Sequence, residues 1–116
     1  MRKTLAESLM DPTALQAVSS YYSDFVDQVQ RAIQENHVVV VGMGQNPFCK
    51  RARKALEEKN IAFKYIEKGN YFGEWKPRLA LKLWSGWPTF PQVFVGGKLI
   101  GGYTELAQRL EKGPLN

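Results

Sequence analysis

Sulfur and imidazole are scarce in this chain: Cys49 is its one cysteine and His37 its one histidine. A single cysteine excludes an internal disulfide, and one histidine with one distant cysteine makes neither a metal site nor a catalytic dyad. Long apolar runs are lacking too. The longest aliphatic stretch, Val38 to Val41, is far short of the roughly 20 residues that a bilayer-spanning helix needs, so no membrane span is predicted. The opening MRKTLAESLM has basic residues with no continuous apolar stretch behind them, which predicts no secretory signal and a cytoplasmic setting. A lone free thiol agrees with a reducing compartment.

What is present suits one globular domain: 116 residues, 44% of them hydrophobic, suffice to bury a core without disulfide or metal. The net charge of +5 is uneven. Residues 1–36 hold three Lys/Arg against five Asp/Glu, a net of −2, while residues 37–116 hold thirteen against six, a net of +7. The basic body favours an anionic partner, whether a small carboxylate, a phosphate or nucleic acid; a lysine-rich solvated surface explains it equally well.

Asp11 and Pro12 form a helix-start signal. Beyond them Leu15, Val18, Tyr22, Phe25, Val26, Val29 and Ile33 share one stripe, predicting one helix over 12–34 or two stacked pieces broken near Ser19 and Ser20. HVVVVGM reads as a buried strand ended by Gly42 and Gly44. Asn46 and Pro47 repeat the cap-and-proline signal and open a helix to about Lys59. IAFKYIE, residues 61–67, reads as a second strand, KGNY as a turn, and residues 74–84 as a helix that tolerates Pro77 only in its first turn. QVFVGGKLIGG reads as a hairpin turning at Gly96 and Gly97, and a last helix runs from about Thr104 to Glu111. The two strands joined by a helix should be parallel, with the hairpin adding antiparallel partners. Residues 1–35 are thus expected to be a helical extension packed on a domain of residues 36–116.

NPFC at a helix start, then WPTFPQVFVGG, then LIGGYTEL occur in an order that resembles the glutaredoxins, a branch of the thioredoxin fold. WPTFPQ is similar to the monothiol branch and GGYTEL to the dithiol branch. The resemblance spans roughly residues 37–112 and implies an α/β fold with a central four-stranded mixed sheet flanked by helices. It also implies glutathione-linked thiol–disulfide exchange, with glutathione or a thiol-containing peptide or protein as partner. In that family the four-residue segment begins with the nucleophilic cysteine, as C-P-Y-C or C-G-F-S. That sulfur sits at a helix N-terminus, where unpaired N–H groups and the helix dipole favour thiolate.

Here that first position is Asn46, which has no thiol, so neither a mixed disulfide nor an iron–sulfur ligand is available from it. No metal or cluster is expected. Cys49 becomes the candidate catalytic thiol, three residues into the helix. It lies about 60° from Ala52 and about 20° from Leu56, at the edge of an inward stripe that includes Phe48 and Ala55. A small buried cysteine filling space is the competing account. The resemblance further implies a glutathione site of Asn46, Phe48, Phe90, Pro91, Gly102, Thr104 and Glu105. Pro91 matches the family's cis-proline, with Phe90 offering its backbone to the ligand's cysteinyl residue. Gly101 and Gly102 allow close approach, and the helix opening at Thr104 and Glu105 offers N–H groups to the γ-glutamyl carboxylate. The family's lysine three residues before the nucleophile is Met43 here; Lys50 or Arg51 would have to supply that charge, against the plain reading of a solvated helix face.

Three functions compete on these residues: an oxidoreductase working through Cys49, a redox-silent module binding glutathione or a peptide, and a nucleic-acid module. The last has the least support. Its aromatic and basic residues, Trp75, Trp84 and Trp87 amid Lys76, Arg78 and Lys82, accompany no recognition motif, and GMGQNP lacks the third glycine or the lysine of a phosphate loop.

Overall fold

The computed structural model describes residues 23–69 and 75–115. Its elements are α1 (Ser23–Glu35), β1 (Val38–Gly42), α2 (Pro47–Glu58), β2 (Lys64–Glu67), α3 (Trp75–Ser85), β3 (Gln92–Val95), β4 (Lys98–Gly101) and α4 (Tyr103–Lys112). The strand order is β2-β1-β3-β4, with β1 parallel to β2 and antiparallel to β3. This is the expected four-stranded mixed sheet. The Asp11 and Pro12 start signal and the first half of the expected opening helix lie outside the described residues, as do Asn70 and Tyr71 of the expected turn.

Every residue of β1 is buried, because the sheet is covered on both sides. Side chains alternate along a strand, so Val39 and Val41 meet one layer and Val38 and Val40 the other. The first layer holds α1 and α3 through Phe25, Val29 and Leu81. The second holds α2 and α4 through Ala52, Leu56 and Leu106. Pro77 is the third residue of α3, within its first turn, where a missing N–H costs no helical bond. Gly96 and Gly97 both take positive φ, +58° and +82°, as the two-residue hairpin between β3 and β4 requires.

Two expectations need correction. β2 begins at Lys64 rather than Ile61, because the chain is still closing α2 at that point. The Asn60 N–H donates to Glu57 O and the Ile61 N–H to Leu56 O, both at 3.0 Å, with Asn60 left-handed at φ +56°. Ile61 and Phe63 nonetheless pack on the second layer as an alternating strand would. The inward face of α2 is also centred elsewhere. Cys49, Ala52 and Leu56 are its buried residues, whereas Phe48 is 48% exposed. Cys49 therefore lies within the inward stripe, and Phe48 outside it.

Gly42 ends β1 where no side chain fits. A Cβ there would stand 2.7 Å from Tyr65 Oη and 2.9 Å from Cys49 Sγ. Gly42→Ala should cost about 1–3 kcal/mol by overpacking. The Gly42→Ala, Cys49→Ala double variant should cost less than the sum of its parts, because removing Sγ relieves one clash. Urea unfolding of the four proteins of this cycle measures both effects, and strict additivity would contradict the contact.

Candidate functional site

The site forms beyond the end of β1, where the loop to α2 meets the loop that precedes β3. Hydrogen bonds pin the first loop to the end of β2: the Lys68 N–H donates to Gly42 O at 2.9 Å and the Gly44 N–H to Gly69 O at 2.6 Å. The second loop is pinned from within the sheet. Gln92 is fully buried, and its Nε2 donates to Trp87 O at 3.1 Å. The Trp87 N–H is taken by Ser85 Oγ at 3.1 Å, and the Phe90-Pro91 peptide is cis, the isomer expected for Pro91.

Between these loops and the start of α4 lies a cavity of about 430 Å³, within the size range of small-molecule sites. Asn46, Phe48, Phe90, Pro91, Gly102, Thr104 and Glu105 all line it. The one expected site residue that does not is Cys49. At the α4 end, Gly102 is the N-cap and has no side chain to bond the first-turn N–H groups. Glu105 Oε1 accepts from the Gly102 N–H at 2.7 Å, a contact that also excludes any side chain at Gly101, where a Cβ would stand 2.6 Å from Glu105 Cγ. The indole N–H of Trp87 is buried with no acceptor among the described residues.

Lys82 lines the cavity as well, its Nζ 5.6 Å from the Phe90 ring centroid. Burial, and secondarily the neighbouring Arg78, hold its ammonium below the ordinary lysine range. Two cations crowded in a partly buried place favour an anion between or beside them. In the sequence Lys82 stands out only as one of the aromatic and basic residues weighed for a nucleic-acid module. The available signal was its place one turn ahead of the WPTFP loop, but only the packing of α3 turns it toward the cavity. Lys50 and Arg51, the alternative sources of charge, are exposed and not part of this wall; Arg51 instead lies over the Phe48 ring at 5.3 Å. Arg78 is buried and donates to Lys68 O at 3.1 Å, so the aromatic and basic residues of α3 do not form one outward face.

Asn46 caps α2. Its Oδ1 accepts from the Phe48 N–H at 2.9 Å and the Cys49 N–H at 3.0 Å, the two donors that would otherwise favour a thiolate at this helix end. Cys49 is 1% exposed, with Sγ turned toward Gly42 and Tyr65. Burial pushes its thiol pKa up, against smaller lowering effects of a Met43 backbone hydrogen bond and the Arg53 charge. Arg53 stacks on the Tyr65 ring at 4.3 Å, and Tyr65 Oη donates to Glu67 Oε1 at 3.0 Å, so the thiol is roofed by a polar cluster.

The glutaredoxin family model matches residues 38–100. The chain belongs to the glutaredoxin family. It is 45% identical over 98 residues to a glutaredoxin-like protein of Dictyostelium discoideum, covering 84% of this chain and 80% of that one. Human mitochondrial glutaredoxin-2 is 32% identical over 95 residues, 78% of this chain and 55% of that protein. Among solved structures, a mutated buckwheat glutaredoxin superposes with a TM-score of 0.71 at 26% identity, covering 81% of this chain and 86% of that one. A buckwheat glutaredoxin–glutathione complex gives 0.67 over the same shares at the same identity. The family is one of thiol oxidoreductases, and this member folds as they do.

Asn46→Ala should lower stability by about 1 kcal/mol through loss of the cap, and Asn46→Asp should retain most of it; thermal unfolding compares them. A second outcome follows from the raised thiol pKa. The fold favours the neutral thiol, so that share of stability is complete below the unfolded thiol's range, near pH 8.5, and is lost as pH climbs above it. Iodoacetamide should therefore label Cys49 slowly from pH 7 to 9 and rapidly only in urea. Fast labelling of the folded protein at pH 7 would show an accessible thiolate instead.

Proposed function

We propose that this chain binds glutathione in the cavity between α2, the Pro91 loop and α4, without thiol–disulfide turnover there. The observation that carries the reading is a separation. The residues of the cradle line one cavity, whereas the one cysteine is buried outside its wall and an amide occupies the place where a glutaredoxin begins its motif with sulfur.

The cavity's chemistry suits an extended, doubly anionic ligand. The first-turn N–H groups of α4 receive the γ-glutamyl carboxylate, and Glu105 sits within reach of the adjacent ammonium. The Phe90 backbone pairs with the cysteinyl residue. Lys82 takes the glycyl carboxylate, replacing the charge that Met43 does not provide. The complex of the buckwheat protein with glutathione supports the ligand class. A shared iron–sulfur cluster does not fit the donors present: Asn46 offers an amide where a thiolate is needed, and Cys49 does not line the cavity.

Two measurements test the reading together. Titration of labelled protein with glutathione in the millimolar range should shift the amides of Asn46, Phe90 and Thr104, and Lys82→Ala should weaken binding about five- to tenfold, the worth of one charge-assisted contact. Turnover of a glutathionylated disulfide should equal the buffer rate for wild type and for Cys49→Ser alike. Turnover abolished by Cys49→Ser would reject the silent role and restore that thiol as nucleophile, while unmoved amides would reject the ligand.

A further inference from the structure

Resting on the glutathione reading, we infer that the preferred ligand is glutathione whose sulfur carries a short apolar substituent, a thioether conjugate rather than the free thiol. Two independent features at one end of the cavity point to it. The first is what this end lacks. The Phe48 and Cys49 N–H groups are both held by Asn46 Oδ1, at 2.9 and 3.0 Å, so they are not available to an anionic sulfur. Among the wall's residues only Lys82 is cationic, and in the glutathione reading it is taken by the glycyl carboxylate; Met43, Asn46, Phe48 and Tyr103 bring no positive charge. A thiolate gains little in such surroundings. No thiol lines the cavity either, and the carbon–sulfur bond of a thioether, unlike a disulfide, has no exchange partner there and would persist through binding.

The second feature is what this end exposes. Phe48 has the highest exposure among the described residues' large exposed hydrophobics, at 48%, and it stands in the cavity wall rather than on an outlying face. Its ring lies 6.4 Å from that of Tyr103, tilted by 43°, so the two aromatics form a surface at the mouth continuous with the pocket. Arg51 lies over the same Phe48 ring, and the remaining apolar area has no cover among the described residues. Carbon atoms attached to the ligand sulfur, opposite Asn46, would extend over these rings. Burial of part of a phenylalanine and a matching part of an alkyl chain corresponds to about a tenfold gain in affinity.

Calorimetric titration of the full chain with glutathione, S-methylglutathione and S-hexylglutathione tests this. S-hexylglutathione should bind about tenfold more tightly than glutathione, with S-methylglutathione between them. In Phe48→Ser the ratio of the two affinities should fall close to one, whereas Trp84→Ser, which removes another exposed aromatic outside the cavity wall, should leave the ratio as in wild type. Equal affinities in wild type would overturn the inference while leaving glutathione binding intact. A gain lost in Trp84→Ser instead of Phe48→Ser would overturn it too, by placing the alkyl chain elsewhere. If none of the three ligands binds, the glutathione reading itself fails, and with it the inference.

Discussion

Everything at the site hangs from a strand that has no solvent side. Four consecutive valines leave β1 fixed by layers above and below and by a partner strand on each edge. Such a strand cannot slip by one residue without driving its whole pattern into the wrong layer. Its end is thus a fixed origin. The loop after Gly42, the cap at Asn46 and the direction of α2 all take their coordinates from it, and antiparallel pairing with β3 sets the height of the Pro91 loop opposite.

At that origin the same physical resource can serve two ends. Backbone N–H groups at a helix start stabilise either a negative sulfur or a capping oxygen, and one pair of donors cannot serve both fully. In this chain the oxygen of Asn46 holds them. The helix is better closed for it, and the electrostatic basis of thiol activation is gone from the place where the family has it. Cys49 is placed differently: its side chain belongs to the packing beside Gly42 and Tyr65. In the proposed reading, family membership and chemistry separate here at the level of single hydrogen bonds.

Much of this was legible before any coordinates. Asn46 followed by Pro47 marks a helix start by local chemistry alone, and Gly96 with Gly97 marks a turn because few other pairs accept two positive φ angles. The order of NPFC, WPTFPQ and GGYTEL carried the topology, and seven of the eight expected site residues line one cavity. Other features depend on how elements dock. The rotation of α2 about its axis decides whether Cys49 or Phe48 faces the core, and periodicity over a dozen residues leaves that angle loose. Lys82 reaches the cavity only because α3 packs beside the Pro91 loop. The late start of β2 reflects the closing bonds of Asn60 and Ile61, whose apolar alternation looks like a strand already begun.

The buried Gln92 has a wider meaning. A side-chain amide at the centre of a sheet is costly to bury, and here only its nitrogen is bonded, outward to the main chain at Trp87, while its Oε1 has no partner among the described residues. One wall of the cavity is thereby anchored to the hydrophobic interior rather than to neighbouring loops. Selection that preserves only folding will preserve that wall as a by-product. A scaffold built this way holds the shape of a cavity independently of any reactive atom beside it, and so stays open to taking up new ligands.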